Sequence, residues 1–254
     1  MKKYLILFLL VFNSVIHSMD FEHTKQLIET GKLSADQALL DDLLEECVRL
    51  KICTSYAEFF IAKGAKPNSE LLKLSVEDSN EDYVKFLINK GLNPNIMIRH
   101  LPCDDSTSVL LWLLDRRHFW PNGRWFGIFK TLLQSKACPD FGSPLYDIFN
   151  RYRYYDDEET KCGAIDLLLK HGADHNSLNL HKTAQLVEEN SKGYHGFPKD
   201  PLKAATFLEV VKILKKHNVD LSKKDDKGKV FTDYLTGDLK GKCLEVLTAG
   251  DIIW

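Results

Sequence analysis

The chain has 254 residues, 44% of them hydrophobic and 28% charged, which is enough apolar material for a continuous core. Its formal net charge of −2 excludes a strongly basic nucleic-acid binder. Six scattered cysteines (Cys47, Cys53, Cys103, Cys138, Cys162 and Cys243), with no C-x-x-C among them, argue against a zinc site or a fold built on disulfides. Cys47, Cys138 and Cys243 lie in apolar contexts and read as small buried hydrophobes.

The N-terminus has the pattern of a secretory signal over residues 1–18. Lys2 and Lys3 form a positive start, Tyr4 to Phe12 is an apolar run, and Ile16-His17-Ser18 offers a small residue before a cleavage point at Met19. Nine residues of helix rise only about 14 Å, too short to span a hydrocarbon core of about 30 Å. The alternative is an uncleaved anchor extended through Val15 and Ile16. Cleavage removes two lysines and no acids, leaving 32 basic against 36 acidic residues, or −4. The expectation is an exported protein, periplasmic or secreted, in which disulfides are permitted but not required.

Beyond the signal, one phrase recurs. An apolar run ends in glycine or a stand-in, followed by a small or apolar residue and an Asn or Asp. The clearest copy is Leu167-Leu168-Leu169-Lys170-His171-Gly172-Ala173-Asp174-His175-Asn176. Others close at Gly64-Ala65-Lys66-Pro67-Asn68 and Gly91-Leu92-Asn93-Pro94-Asn95, and weaker ones at Lys136-Ala137-Cys138-Pro139-Asp140 and Asn218-Val219-Asp220. Gly31 and Gly64 stand 33 residues apart. Between them the spacing predicts a helix with Ser34 as its N-cap and Ala38, Leu39, Leu43, Leu44, Cys47, Val48 and Leu50 at helical spacing. A second helix is predicted over Ser55–Lys63. The shorter interval to Gly91 leaves room for two helices, near Glu70–Glu77 and Asn80–Asn89, and none for an extended finger. A final helix with Leu239, Cys243, Leu244, Val246 and Leu247 on one face is the expected cap.

These phrases resemble ankyrin repeats, whose units open G-x-T-P-L-H and close L-L-x-x-G-A-D-x-N. The opening is visible in Gly142-Ser143-Pro144-Leu145-Tyr146, and in degenerate form at Lys182–Leu186 and Asp226–Tyr234. Tyr146 replaces the family's histidine. The resemblance covers about residues 24–248. It implies an all-α, ankyrin-like helical solenoid of about six degenerate repeats over residues 19–254, with inter-helix insertions and a capping helix. It also implies protein–protein recognition without catalysis, through a finger side or an insertion edge.

The intervals after Gly91 are too long, and the extra residues fall at Asp115–Phe126, Asn150–Thr160 and Asn190–Leu202. Insertions at one position of successive repeats emerge on one edge. These carry Trp120, Trp125, Tyr154, Tyr155 and Phe197, rings of the kind that anchor interfaces, and the five are the candidate partner-binding residues. The equal alternative is that they fold back over helix ends. No nucleophile elbow, zinc helix or phosphate loop is present, so no catalytic, cofactor-binding or metal residue is proposed. The rival class is a hydrolase within the aromatic insertions, built on His118 or His195 beside an acid and a nucleophile.

Overall fold

The structure is a computed structural model that describes residues 21–95, 97–99, 106–116, 124–150, 158–191 and 201–249. It is all-α apart from one minimal hairpin. Residues 1–18, read above as a signal, and the C-terminal Ile252-Ile253-Trp254 lie outside the described residues. The chain divides into two compact units, one ending at Leu92 and the other beginning at Asn93.

The first unit holds α1 (Phe21–Glu29), α2 (Gln37–Arg49), α3 (Thr54–Lys63), α4 (Ser69–Glu77) and α5 (Glu81–Asn89). On α2, Leu40, Leu43, Leu44, Cys47 and Val48 recur at helical spacing and are all buried. Burial pushes the Cys47 thiol up to about 12, so it remains a neutral core group. The N-cap is Asp36, whose carboxylate accepts from Leu39 N, and not Ser34 as the sequence suggested. Asn68 and Asn80 cap α4 and α5 in the same way, accepting from Leu71 N and Tyr83 N. α2 packs on α3 and α4 on α5, while α2 also meets α4 and α3 meets both α1 and α5. Each helix thus touches its own partner and the equivalent helix of the adjoining pair. Polar links follow the same steps. Lys51 Nζ donates to Asp78 O at 3.0 Å, Gln37 Nε2 to Gly64 O at 2.8 Å, and Lys90 Nζ pairs with Glu58 at 2.6 Å.

The second unit opens with β1 (Met97–Arg99) antiparallel to β2 (Ser106–Ser108), with Met97 opposite Ser108. The helices are α6 (Val109–Arg116), α7 (Arg124–Gln134), α8 (Pro144–Asn150), α9 (Glu158–Lys170), α10 (Leu180–Ser191), α11 (Pro201–Lys216) and α12 (Gly237–Thr248). Short 3-10 turns occupy His175–Ser177 and Phe231–Tyr234. α6 packs on α7, α8 on α9 and α10 on α11, with further contacts α6–α8, α7–α9, α9–α11 and α11–α12. The turn at Phe231–Tyr234 packs on α10 and α12, taking the place of a first helix in the last pair.

The recurring phrase acquires a physical meaning here. Gly64, Gly91 and Gly172 have φ of +120°, +98° and +87°, and the stand-ins Lys136 and Asn218 are forced to +67° and +56°. At each, two backbone N–H groups turn back onto the preceding helix. Gly172 N donates to Leu169 O at 3.0 Å and Ala173 N to Leu168 O at 2.9 Å; Lys136 and Ala137 do the same to Leu133 and Leu132. This left-handed stop satisfies carbonyls that a helix end otherwise leaves open. The Asn or Asp that follows then closes a side-chain turn. Asn93, Asp174 and Asp220 accept from the N–H two residues on, each at 2.9 Å. Successive phrases are also linked to one another. Asn95 Oδ1 accepts from Cys138 N at 2.5 Å, and Asp140 Oδ1 from Asp174 N at 2.6 Å.

Several local expectations need correction. The hairpin was not foreseen; Ser108 ends it, and its hydroxyl both accepts from Leu111 N at 3.2 Å and donates to Phe141 O at 2.6 Å. α10 begins at Leu180, where Asn179 accepts from Lys182 N, so the degenerate opening at Lys182–Leu186 falls inside the helix. On α12 Cys243 is buried but Leu244 is 42% exposed, so the capping face is narrower than expected. Cys138 is exposed and not a core group. Among the described cysteines Cys47, Cys53, Cys138, Cys162 and Cys243 are all free thiols.

Candidate functional site

Of the five predicted partner-binding rings, Trp120, Tyr154, Tyr155 and Phe197 lie outside the described residues, as do His118 and His195. Trp125 is described, and it is buried. It sits in the first turn of α7, only 5% exposed, edge-on to Phe126 and Phe129 with centroids 5.8 Å away in each case. Its neighbour Phe126 lies against Gly163 of α9, where an added Cβ would come within 2.9 Å of the ring. Phe126 thus packs between α7 and α9, and Trp125 is buried against its own helix, as in the alternative that the rings fold back.

Among the described residues a concavity lies elsewhere, within the second unit. It is a groove of about 930 Å³. One wall is the 3-10 turn at His175–Ser177 and the start of α10; the other is the loop from Val219 to Lys227 and the turn at Phe231–Tyr234. Its floor is apolar: Leu180, Val219, Leu221 and Phe231 are all buried. The phrase described above creates this arrangement. The stops at Gly172 and Asn218 and the turns at Asp174 and Asp220 project the two wall loops from the same end of neighbouring helix pairs.

The far wall is rigidly built. Asp225 Oδ1 accepts from Lys227 N and Lys229 N, each at 2.9 Å, while Oδ2 accepts from the Tyr234 hydroxyl. Tyr234, with help from those N–H groups, holds the Asp225 carboxyl below the usual carboxylate range, and the same bond pushes the phenol up to about 12. The His181 ring stands edge-on to Tyr234 at 6.0 Å and bonds Lys223 O at 3.1 Å, joining the walls. Behind them buried Glu188 of α10 accepts from both Thr236 N, at 3.1 Å, and the Thr236 hydroxyl. Ser222 draws down the Asp220 carboxyl through its hydroxyl and N–H. The rim carries four lysines (Lys182, Lys223, Lys224 and Lys227) against Asp220, Asp225 and Asp226.

The groove combines an apolar floor with a charged rim. Asp225, Tyr234 and His181 are bonded to one another or to backbone groups in ways that fix the loops. A smaller cleft of about 460 Å³ in the first unit runs past Lys51, Cys53, Asn80 and Phe86. There the Ser55 hydroxyl and N–H hold the exposed Cys53 thiol below its ordinary value. Among the described residues no group of three or more His, Cys, Asp or Glu is placed to hold a metal ion, and no helix is long and apolar enough to cross a membrane. No single stretch of sequence announced the larger groove, because its walls come from segments some 40 residues apart. The only forewarning was the repeated closing phrase itself. Comparison with known proteins finds no family model, no curated protein and no solved structure that matches this chain.

Proposed function

We propose that the chain is an exported, ankyrin-like repeat scaffold that binds a protein partner and performs no catalysis, with the groove beside α10 as its partner site. The observation that carries the reading is the repetition of one device. A helix pair ends in a left-handed stop, an Asn or Asp turn follows, and a side chain of one phrase bonds the backbone of the next. Stacked devices of this kind produce long concave faces without a reaction centre, and such faces are suited to recognising extended surfaces. The groove adds an apolar floor, fixed walls and a charged rim, the anatomy of a receptor for a segment of another protein. Lys2, Lys3, the short apolar run and Ser18 support export of a mature chain beginning at Met19, into the periplasm or the medium.

The test is paired capture. The mature wild-type chain and a Gln185→Trp variant, which fills the groove from α10, are used as bait in the native compartment. A protein retained by the wild type and lost from the equally stable variant is expected. A partner retained equally by both would move the site away from the groove. Turnover of an ester, peptide or glycoside substrate by the purified chain would overturn the non-catalytic reading.

A further inference from the structure

We propose that the groove takes an extended acidic protein segment, with its carboxylates on the rim lysines and an apolar side chain on the floor. This rests on the binding-scaffold reading and adds the chemistry of the partner. The acids and lysines of the rim are not equivalent. Asp225 accepts from two N–H groups and a phenol, and Asp220 from the Ser222 N–H and hydroxyl, so both are committed to the walls. The ammonium groups of Lys182, Lys223, Lys224 and Lys227 have no carboxylate within ion-pair distance among the described residues. Four lysines therefore face the groove against three carboxylates, two of them hydrogen-bonded into the walls, so the rim keeps a cationic excess although the protein as a whole is slightly acidic. A ligand with spaced carboxylates neutralises them and is steered toward this face by charge.

The same rim argues against a nucleic acid. Planar, two-pronged recognition of phosphate favours arginine, and no arginine lines the groove. Asp226 stands among the lysines and would oppose a continuous line of phosphates, whereas a peptide can place an apolar residue beside it. The floor supplies the place for that residue at Leu178, Val219 and Leu221. A peptide thus meets both parts of the groove, and a polyanion only one.

The experiment is selection of random decapeptides, displayed on phage, against the immobilised mature chain at physiological salt. Binding of the recovered synthetic peptides is then measured by fluorescence anisotropy. Peptides enriched in Asp and Glu that also carry an aliphatic or aromatic residue are expected. The triple charge reversal Lys182→Glu, Lys223→Glu, Lys224→Glu should weaken them by about tenfold or more. A circular dichroism melt shows whether the variant keeps its fold, and the single change Lys224→Gln serves where it does not, with a smaller loss in the same direction. Peptides without acid enrichment that are nevertheless displaced by Gln185→Trp would overturn the acidic assignment and leave the scaffold reading standing. Recovery of no peptide overturns both. An RNA decamer that competes equally with the acidic peptides, and is lost on the same reversal, would make the groove a general polyanion site and contradict the proposal.

Discussion

Replacing Gly172 by alanine isolates the conformational requirement that defines the repeat. Gly172 has φ of +87°, and an alanine Cβ would meet nothing within 4 Å, so no clash contributes. What remains is the left-handed backbone, worth about 1–2 kcal/mol against an L-residue. The alanine also restricts the unfolded chain, which returns about 0.4–1 kcal/mol. The net expectation is destabilisation by roughly 0–1.6 kcal/mol, centred at about 0.8. The mirror experiment is Lys136→Gly. Lys136 occupies the corresponding position at φ +67° with the same pair of turned-back hydrogen bonds, so the same two effects reverse sign. It should gain stability by the same amount, roughly 0–1.6 kcal/mol. Urea unfolding followed by far-ultraviolet circular dichroism measures both variants against the parent. A stabilising Gly172→Ala, or a destabilising Lys136→Gly, would refute the claim that one left-handed stop recurs at both places.

Leu168→Ala removes a fully buried side chain of α9 and should cost about 2–5 kcal/mol, whereas exposed Lys170→Ala should stay within about 0.5 kcal/mol in the same denaturant assay. Trp125→Ala should cost about 3–5 kcal/mol and leave partner affinity per folded molecule unchanged, as calorimetry on the folded fraction will show. Asp166 accepts from Lys216 Nζ at 2.9 Å and His217 Nε2 at 2.8 Å; these bonds outweigh the opposing effect of burial and hold its carboxyl below the usual range. Because the folded value is the lower one, its contribution is complete above the unfolded carboxylate pKa of about 3.9 and is lost as pH falls through the folded value. The stability gap between the parent and Asp166→Asn, measured from pH 7 down to 3, should therefore narrow only at the acid end.

Much of the fold was legible because its punctuation is local. A left-handed stop needs only one residue and the preceding turn, so Gly64, Gly91 and Gly172 could be read directly, and Lys136 and Asn218 by analogy. The long connections after α6, α8 and α10 were legible as departures from the repeat length. What escaped depends on distant partners or on very short elements. Strands of three residues at Met97–Arg99 and Ser106–Ser108 are too brief to show alternation. Glu188 reads as one more polar residue of an amphipathic helix until Thr236, 48 residues away, is brought to it. Trp125 reads as insertion because nothing local says that α7 begins at Arg124. The groove escaped for the same reason as Glu188: its walls, floor and rim are assembled only when two successive phrases are stacked.

The most direct test of the scaffold account is hydrogen–deuterium exchange of the mature chain with and without its captured partner. Binding at the groove predicts slowed exchange in residues 175–185 and 219–230, with the rest of the second unit little changed. Protection confined to residues 117–123, 151–157 and 192–200 would place the partner on the aromatic insertions and contradict the assignment of the groove.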